Sequence, residues 1–279
     1  MRPSATNSHV VNFDQDHIVW LLKDGSKRLP TLMLLLAGTN GQPSNASLIG
    51  ATAARQGYHV IGLMYPDDVA VQSVCPGDPN PSCAADLRRE VITGENISPY
   101  VSVDFDNSID GRLTAILQYL IKQYPDENWQ QFLDQNQPRW ANVAVGGLSQ
   151  GGGHAAFIGT MRLVRRVVMF GAPADGMNGA PTPWASIGAT PASRYYGFKH
   201  ELDPFTSIVP NWHALGIDAF GPPINIDDGL PITTTHLFLT NVAATSALNA
   251  HASVYADGAT PVKDGIPVFL AAWKYLLGP

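Results

Sequence analysis

A single serine stands among glycines in the stretch AVGGLSQGGGHAAF, residues 144–157. Glycines at this density could form a phosphate-binding loop, a hinge, or the tight turn that presents a nucleophile. The dinucleotide fingerprint G-x-G-x-x-G is not matched here, and a phosphate-binding P-loop would need a lysine that the stretch lacks. The pattern that fits is G-x-S-x-G, with Ser149 between Gly147 and Gly151.

The segments on either side of Ser149 favour the nucleophile turn. Residues 140–149 form an apolar run typical of a strand, and the residues after the serine indicate the start of a helix. Such a turn is too tight for side chains two residues before and after the serine, so glycine is needed at both positions. The hydroxyl then projects at a helix N-terminus, where the dipole favours developing negative charge. We therefore predict that Ser149 is a nucleophile.

Strand-like and helix-like segments alternate along the rest of the chain. Apolar runs predict strands at 17–22, 31–38, 58–66, 140–149, 165–173, 192–203 and 233–241. Helices are predicted at 44–57, at 107–125, from 150 onward and at 262–277. Alternation with short connections predicts a mostly parallel sheet covered by helices on both faces. Active sites in such sheets lie outside the C-terminal ends of the strands, so the residues after each apolar run are the candidates.

With the serine turn between a strand and a helix, the chain resembles the α/β-hydrolase superfamily over residues 17–277. It looks most similar to secreted bacterial serine hydrolases of the esterase and lipase type. The resemblance implies one domain, residues 1–279, with a mostly parallel central sheet. It also implies a triad in the chain order nucleophile, acid, histidine. The acid should follow the second strand after the nucleophile, and the histidine should follow the last strand.

His251 and Asp203 occupy the positions that this resemblance requires. A serine hydroxyl is a poor nucleophile at neutral pH and needs a base within hydrogen-bond reach. His251, in the sequence NAHASVYAD, is expected in a loop between the last strand and the final helix. Asp203 ends the sequence FKHELD, after the second strand beyond Ser149, and would orient the imidazole and stabilise its charged form.

Other histidines and acids leave alternatives open. Asp175 also follows a predicted strand and is the alternative acid. His213, in a proline-rich segment, is a weaker alternative base. His154 lies five residues beyond Ser149 on the helix that follows, from which it cannot easily fold back. We therefore interpret His154 as a packing residue.

An oxyanion intermediate needs two backbone N–H groups aimed at the developing charge. The resemblance implies that Gln150, the residue after the nucleophile, supplies one of them. The other should come from the loop AGTNGQPSN, residues 37–45, whose glycines permit close backbone approach. Thr39 and Asn40 are the candidate donors in this loop.

Two segments rich in glycine and proline, residues 174–191 and 206–232, give no helix or strand pattern. Both follow predicted strands, and long stretches without regular structure in a compact domain are often functional. We interpret them as cap or active-site loops. Trp184 in the first segment is a candidate wall of the substrate pocket, with Phe205 and Trp212 as further candidates.

Cys75 and Cys83 flank a loop of proline, glycine, aspartate and asparagine, which favours a disulfide over two reduced core cysteines. A disulfide indicates an oxidising compartment, so we predict a secreted or periplasmic protein. The first ten residues lack the apolar core of a signal peptide, so no leader is expected within this sequence. No histidine lies near the cysteines, and we expect no zinc site there.

Composition narrows the classes of partner. The net charge is −6, and the one basic cluster is Arg162, Arg165 and Arg166, so a nucleic-acid partner is not expected. The longest uncharged apolar runs, residues 32–37 and 268–273, are far shorter than the roughly 20 residues that span a bilayer. We therefore expect no integral membrane segment.

These features predict a serine hydrolase that cleaves a small or lipid-like carboxylic ester through an acyl-enzyme. Its triad would be Ser149, His251 and Asp203, and this chemistry needs no metal or organic cofactor. Amide or peptide hydrolysis and acyl transfer on the same triad remain open. A catalytically inactive binding protein on this fold is a further alternative, since fold does not imply function.

Overall fold

The computed structural model describes residues 1–176, 179–229 and 235–278. Its strands are β1 Ile18–Trp20, β2 Leu32–Leu36, β3 His59–Leu63, β4 Leu133–Asp134, β5 Gln137–Pro138, β6 Val143–Leu148, β7 Arg166–Phe170, β8 Tyr195–His200, β9 Ile224–Asn225, β10 Leu237–Thr240, β11 Val262–Lys263 and β12 Ile266–Pro267. Its α-helices are α1 Pro3–Thr6, α2 Ser47–Arg55, α3 Val71–Val74, α4 Cys83–Thr93, α5 Ile109–Gln123, α6 Gln150–Met161, α7 Ile208–Ala214, α8 Ala247–Ser253 and α9 Leu270–Leu277. Short 3₁₀ turns occur at Gly25–Lys27, Pro43–Ala46, Pro125–Glu127, Trp129–Phe132, Trp140–Asn142, Ala192–Arg194, Ile217–Phe220 and Ile226–Asp228.

Within these ranges, eight strands form the central sheet in the spatial order β1-β3-β2-β6-β7-β8-β10-β9. β1 runs antiparallel to β3, and the other neighbouring strands are parallel. Along β2, Leu32, Leu34 and Leu36 enter one apolar core, while Met33 and Leu35 enter the core on the opposite face. A strand apolar on both faces must be covered on both, as parallel sheets are. The architecture confirms the fold class predicted from the sequence.

Helices cover the two faces with different parts of the chain. The core that includes Leu87 of α4, Ile116 of α5 and Ala155 of α6 lies on one face. The core that includes Ile49 of α2 and Trp273 of α9 lies on the other. The sheet therefore holds the turn between β6 and α6 at the centre of the molecule, at the C-terminal ends of the parallel strands.

Two predicted helices begin later than expected. Residues 262–267 form the hairpin β11–β12, whose turn at Asp264 and Gly265 has positive φ angles of 51° and 75°, and α9 starts only at Leu270. The α-helix predicted from residue 44 begins at Ser47, after a 3₁₀ turn. The N–H groups of Ser47 and Leu48 donate to the Asp257 carboxylate at 2.9 and 3.0 Å, so a distant side chain caps this helix.

The segment 206–232 contains regular structure, contrary to the sequence-based expectation. Its described part includes α7, two 3₁₀ turns and the edge strand β9. Pro210 argued against a helix in the sequence, because proline breaks a helix interior. It lies in the first turn of α7, where its missing N–H costs no hydrogen bond. Residues 177, 178 and 230–232 of the two Gly/Pro-rich segments lie outside the described residues, as do residues 233 and 234 of the predicted strand 233–241. The role of these segments as a cap stays a prediction.

The predicted disulfide is present between Cys75 and Cys83, with Cα atoms 5.7 Å apart. It joins the residue after α3 to the first residue of α4. The sequence-based prediction missed α4, which carries a buried arginine described below. Among the described helices, none is long and apolar enough to cross a membrane.

Candidate active site

Ser149 lies in a strained turn between β6 and α6. Its φ and ψ angles are 54° and −116°, a conformation that L-residues rarely adopt and that recurs at functional sites. Two backbone hydrogen bonds hold it: the Ser149 N–H donates to Phe170 O, and the Gly153 N–H donates to Ser149 O, both at 2.9 Å. The side chain is half-buried at the N-terminus of α6.

The glycines around Ser149 are explained by close backbone contacts. A side chain at Gly147 or Gly151 would overlap backbone atoms at the end of β2, so only glycine fits at either position. Gly153, two residues further along α6, has a different neighbour. A side chain there would instead overlap the guanidinium of Arg88, so this glycine makes room for a buried arginine of α4.

His251 and Asp203 form a buried pair. The N–H at His251 Nδ1 donates to Asp203 Oδ2 at 2.6 Å, which fixes the ring tautomer and leaves Nε2 as the free nitrogen. His251 is 7% exposed and Asp203 6% exposed. Asp203 Oδ1 accepts the Phe205 N–H at 3.0 Å, so the carboxylate itself is held in place.

His251 lies in α8 rather than in a loop, which corrects the sequence-based expectation. The Ser246 hydroxyl accepts the Asn249 N–H at 3.1 Å and caps this helix. His251 Nε2 is buried, and it has no hydrogen-bond partner among the described residues. A hydrogen bond between Ser149 and His251 is therefore not formed in this structure, as is common in catalytic sites without substrate.

Gly171 connects the serine turn to the histidine. It directly follows Phe170, whose carbonyl accepts the Ser149 N–H. A Cβ on Gly171 would lie 2.8 Å from His251 Nδ1 and 3.1 Å from Asp203 Oδ2, so the imidazole rests on this glycine. Ser149 and the His251–Asp203 pair thus meet at the same end of β7.

The alternative acid, Asp175, is committed to other partners. Its carboxylate accepts Arg88 Nε at 2.7 Å, a second bond from Arg88 Nη2, and Trp184 Nε1 at 2.8 Å. Asp175 and Arg88 are both fully buried. Of the two candidate acids, Asp203 is the one whose carboxylate reaches His251.

The other histidines lie elsewhere. His213 is half-exposed and pairs with Asp218 at 3.2 Å. His154 is fully buried, with its ring edge-on to Tyr65 at a centroid distance of 5.5 Å. Burial lowers the pKa of His154 well below its usual value, and the nearby Arg88 cation lowers it further. Such a neutral core histidine fits a packing role.

The loop after β2 lies against the nucleophile turn. A Cβ on Gly38 would be 3.3 Å from Ser149 Cβ. The Asn40 N–H donates to Asp67 O at 3.1 Å, so this candidate oxyanion donor is already engaged. The Thr39 N–H has no partner among the described residues, which leaves Thr39 as the better candidate.

Gln150 opens α6, and the first N–H groups of a helix have no partner within the helix. Its side chain is 1% exposed. Gln150 Nε2 donates to Val69 O at 2.9 Å, and Oε1 accepts the Val71 N–H at 3.4 Å. The side chain is therefore fixed beside α3, and the backbone N–H has no partner within the helix.

The three aromatic pocket candidates have different surroundings. The Phe205 ring lies edge-on to His251, with centroids 4.9 Å apart, so it adjoins the catalytic candidates. Trp184 packs edge-on against Phe157 at 5.2 Å and donates to Asp175. Trp212 is fully buried and donates from Nε1 to Ala172 O at 2.8 Å, so it is a core residue rather than a pocket wall.

Asp67, whose backbone carbonyl accepts the Asn40 N–H, also has a buried side-chain carboxyl. The side chain is almost fully buried, and Oδ2 has no hydrogen-bond partner among the described residues. Burial raises the pKa of this carboxyl to about 7, although a backbone N–H of Gly41 opposes the shift. The folded protein therefore binds this proton more tightly than the unfolded chain does.

Asp67→Asn should alter how stability depends on pH. Because the folded-state pKa lies above the unfolded value, the wild type should lose stability as pH rises from about 4 to about 7, by roughly 4 kcal/mol at most, and no more above that. The variant lacks this proton, so its stability relative to wild type should rise over the same interval. Urea unfolding at a series of pH values measures the difference. The exposed Asp126→Asn is the control, because Asp126 is not among the groups that shift the pKa of Asp67, and a constant Asp67→Asn difference from pH 4.5 to 8 would contradict the prediction.

Comparison with protein-family models and with curated proteins finds no match. Two solved structures that the chain resembles are a sugar hydrolase from Lactococcus lactis and a carboxylesterase from Mesorhizobium loti. The first is 14% identical with a TM-score of 0.41, over 93% of this chain and 92% of that chain. The second is 10% identical with a TM-score of 0.40, over 94% of this chain and 99% of that chain. At these identities and TM-scores, neither protein's activity is transferred to this chain.

Proposed function

We propose that this chain is a serine hydrolase that cleaves carboxylic esters through an acyl-enzyme intermediate, with Ser149 as nucleophile, His251 as base and Asp203 as the orienting acid. The observation that carries the proposal is the buried His251–Asp203 pair at the same strand end as the strained Ser149 turn, with a His251 Nε2 that has no hydrogen-bond partner among the described residues. A buried imidazole fixed at Nδ1 and free at Nε2 is poised to accept a proton.

The reaction would proceed in two halves. Ser149 Oγ gives its proton to His251 Nε2 and bonds to the ester carbonyl carbon. The resulting tetrahedral intermediate collapses, and the departing alcohol takes that proton from His251. Water then gives a proton to His251 and attacks the acyl-enzyme, which releases the carboxylic acid and returns the proton to Ser149.

Two backbone N–H groups would stabilise the negatively charged intermediate. Gln150 contributes one from the first position of α6, where the helix dipole adds to the effect. Thr39 contributes the other, because its N–H has no partner among the residues that the structure describes, while that of Asn40 is engaged. The Gly38 backbone, packed against Ser149, supports this assignment.

The compartment and domain organisation belong to the same proposal. The Cys75–Cys83 disulfide supports a secreted or periplasmic location, since such bonds persist in oxidising compartments. We propose that residues 1–279 fold as one hydrolase domain that acts on a small or lipid-like ester without a metal or organic cofactor.

A fluorophosphonate probe tests the proposal. Such a probe forms a covalent bond with an activated serine, so peptide mass mapping should find the label on Ser149, and Ser149→Ala should prevent labelling. Wild-type protein that stays unlabelled would overturn the enzyme assignment and favour the inactive binding protein. Paired p-nitrophenyl ester and p-nitroanilide substrates with the same acyl group then separate the reactions. Faster turnover of the anilide than of the ester would mean that the enzyme is an amidase rather than an esterase.

A further inference from the structure

A cavity lies beside the disulfide segment and the N-terminus of α4. It is a cleft of about 470 Å³ whose one wall comes from residues 71–84 and whose other wall comes from Gly176 and residues 180–183. Four prolines (Pro76, Pro81, Pro181 and Pro183), together with Val71, give its lining an apolar character. Prolines fix their own backbone, so this cavity is largely preformed, as ligand pockets usually are.

One wall of the cleft is hydrogen-bonded to the side chain of Gln150, the proposed oxyanion donor. Val71 lines the cleft and donates its N–H to Gln150 Oε1 at 3.4 Å. Val69, two residues earlier, accepts Gln150 Nε2 at 2.9 Å. Gln150 directly follows Ser149, so two hydrogen bonds connect this segment to the residue after the proposed nucleophile.

The opposite wall is connected to Gln150 through the buried Arg88–Asp175 ion pair. Gly176 lines the cleft and directly follows Asp175, which binds Arg88. Arg88 Nη1 donates to Gln150 O at 3.1 Å. Both walls of the cleft therefore converge on the first residue of α6.

We propose that this cleft binds the acyl group of the ester, and that the preferred acyl group is uncharged, apolar and larger than acetyl; this inference rests on the proposed function. The leaving alcohol must lie beside His251 Nε2, which protonates it. Among the described lining residues of the cleft, none comes from the segments of Asp203, Phe205 or His251. We therefore place the alcohol group of the ester beside Phe205 and its acyl group in the cleft.

The charge of the cleft argues for an uncharged acyl group. Its described lining includes Asp78 but no lysine, arginine or histidine. The Tyr100 hydroxyl donates to the Asp78 carboxylate, and this bond lowers the pKa of Asp78. The carboxylate thus stays ionised at neutral pH and disfavours an acyl chain that carries its own negative charge.

The test compares p-nitrophenyl esters that differ only in the acyl group. For the wild type, kcat/KM should be at least about tenfold higher for the hexanoate than for the acetate, since each buried methylene adds apolar contact. The hexanoate should also exceed the adipate monoester, which has the same six-carbon length but ends in a carboxylate, by about tenfold. Acetate esters of alcohols of increasing size should show a weaker preference.

Variants of cleft residues test whether the preference for hexanoate over acetate arises in the cleft. Ala180→Trp places a ring at the exposed rim of one wall, and Gln72→Trp does so from the other. Each should bring the hexanoate-to-acetate ratio to within about twofold, chiefly by lowering kcat/KM for the hexanoate. Ala271→Trp, at an exposed position on α9, is the matched control and should leave the ratio unchanged.

The outcomes separate the two proposals. An active wild type with equal rates on acetate and hexanoate, or cleft variants that keep the wild-type ratio, would overturn the cleft assignment and leave the hydrolase intact. A wild type that neither hydrolyses any ester nor labels at Ser149 would overturn the proposed function instead. A preference that follows the alcohol rather than the acyl group would also contradict the cleft assignment.

Discussion

Ser149→Ala and His251→Ala should each reduce kcat for ester hydrolysis by about 10⁶-fold and leave the protein folded. The first removes the atom that bonds to the acyl group, and the second removes the base that activates it. Because the two residues act as a unit, the double variant should be no worse than either single variant. Initial rates with a p-nitrophenyl ester, alongside circular dichroism and thermal unfolding, measure both effects.

A second histidine–aspartate pair provides the control. His213 and Asp218 form the same kind of contact at 3.2 Å, but on the half-exposed surface. His213→Ala and Asp218→Asn should retain wild-type rates, because neither residue contacts the Ser149 turn or the His251 pair. A large loss of activity in His213→Ala with full activity in His251→Ala would contradict the assignment of the base.

The acid is tested in the same assay. Asp203→Asn should lower kcat by about 10⁴-fold, because an amide cannot stabilise the imidazolium and favours the wrong tautomer. Asp203→Asn with near-full activity, together with an inactive but folded Asp175→Asn, would reverse the assignment. The 2.6 Å contact with His251 Nδ1 supports Asp203.

The elements that the sequence predicted well are those whose signal is local. α5 repeats its apolar residues with helical periodicity, and Ser108 accepts the Gly111 N–H as its N-cap. β2 and β6 are continuous apolar runs because both faces of the sheet are covered. Positions after such strands also indicated His251 and Asp203, so local patterns together with family order were enough to select the candidate triad.

What the sequence left unpredicted depends on distant contacts. Arg88 and Arg89 are neighbours of the same type, yet Arg88 is fully buried and Arg89 is exposed. Arg88 is buried because it pairs with Asp175, which is 87 residues further along the chain. No local sequence pattern connects two residues at that separation. The engagement of the Asn40 N–H by Asp67 is likewise a tertiary contact. Propensity and periodicity cannot report such pairs.

Arg88→Met should destabilise the protein by about 3–5 kcal/mol, the second large effect that we expect. The variant removes both hydrogen bonds to the Asp175 carboxylate and leaves this fully buried charge with Trp184 as its remaining side-chain donor. It also removes the donor to Gln150 O. Urea unfolding measures the loss. The double variant Arg88→Met/Asp175→Asn should recover part of it, since no uncompensated charge then remains buried.

The Arg162–Asp110 pair is the comparison, because it is also joined by two hydrogen bonds, here from the two Nη atoms, but its side chains are 23% and 12% exposed. Arg162 is more accessible to water than Arg88, although Asp110 is itself mostly buried, so Arg162→Met should cost less than Arg88→Met. An equal loss in the two arginine variants would mean that burial does not determine the effect. An Arg88→Met protein as stable as the wild type would show that the ion pair contributes no net stability, and that Gln150 is held by its side-chain contacts to Val69 and Val71 alone.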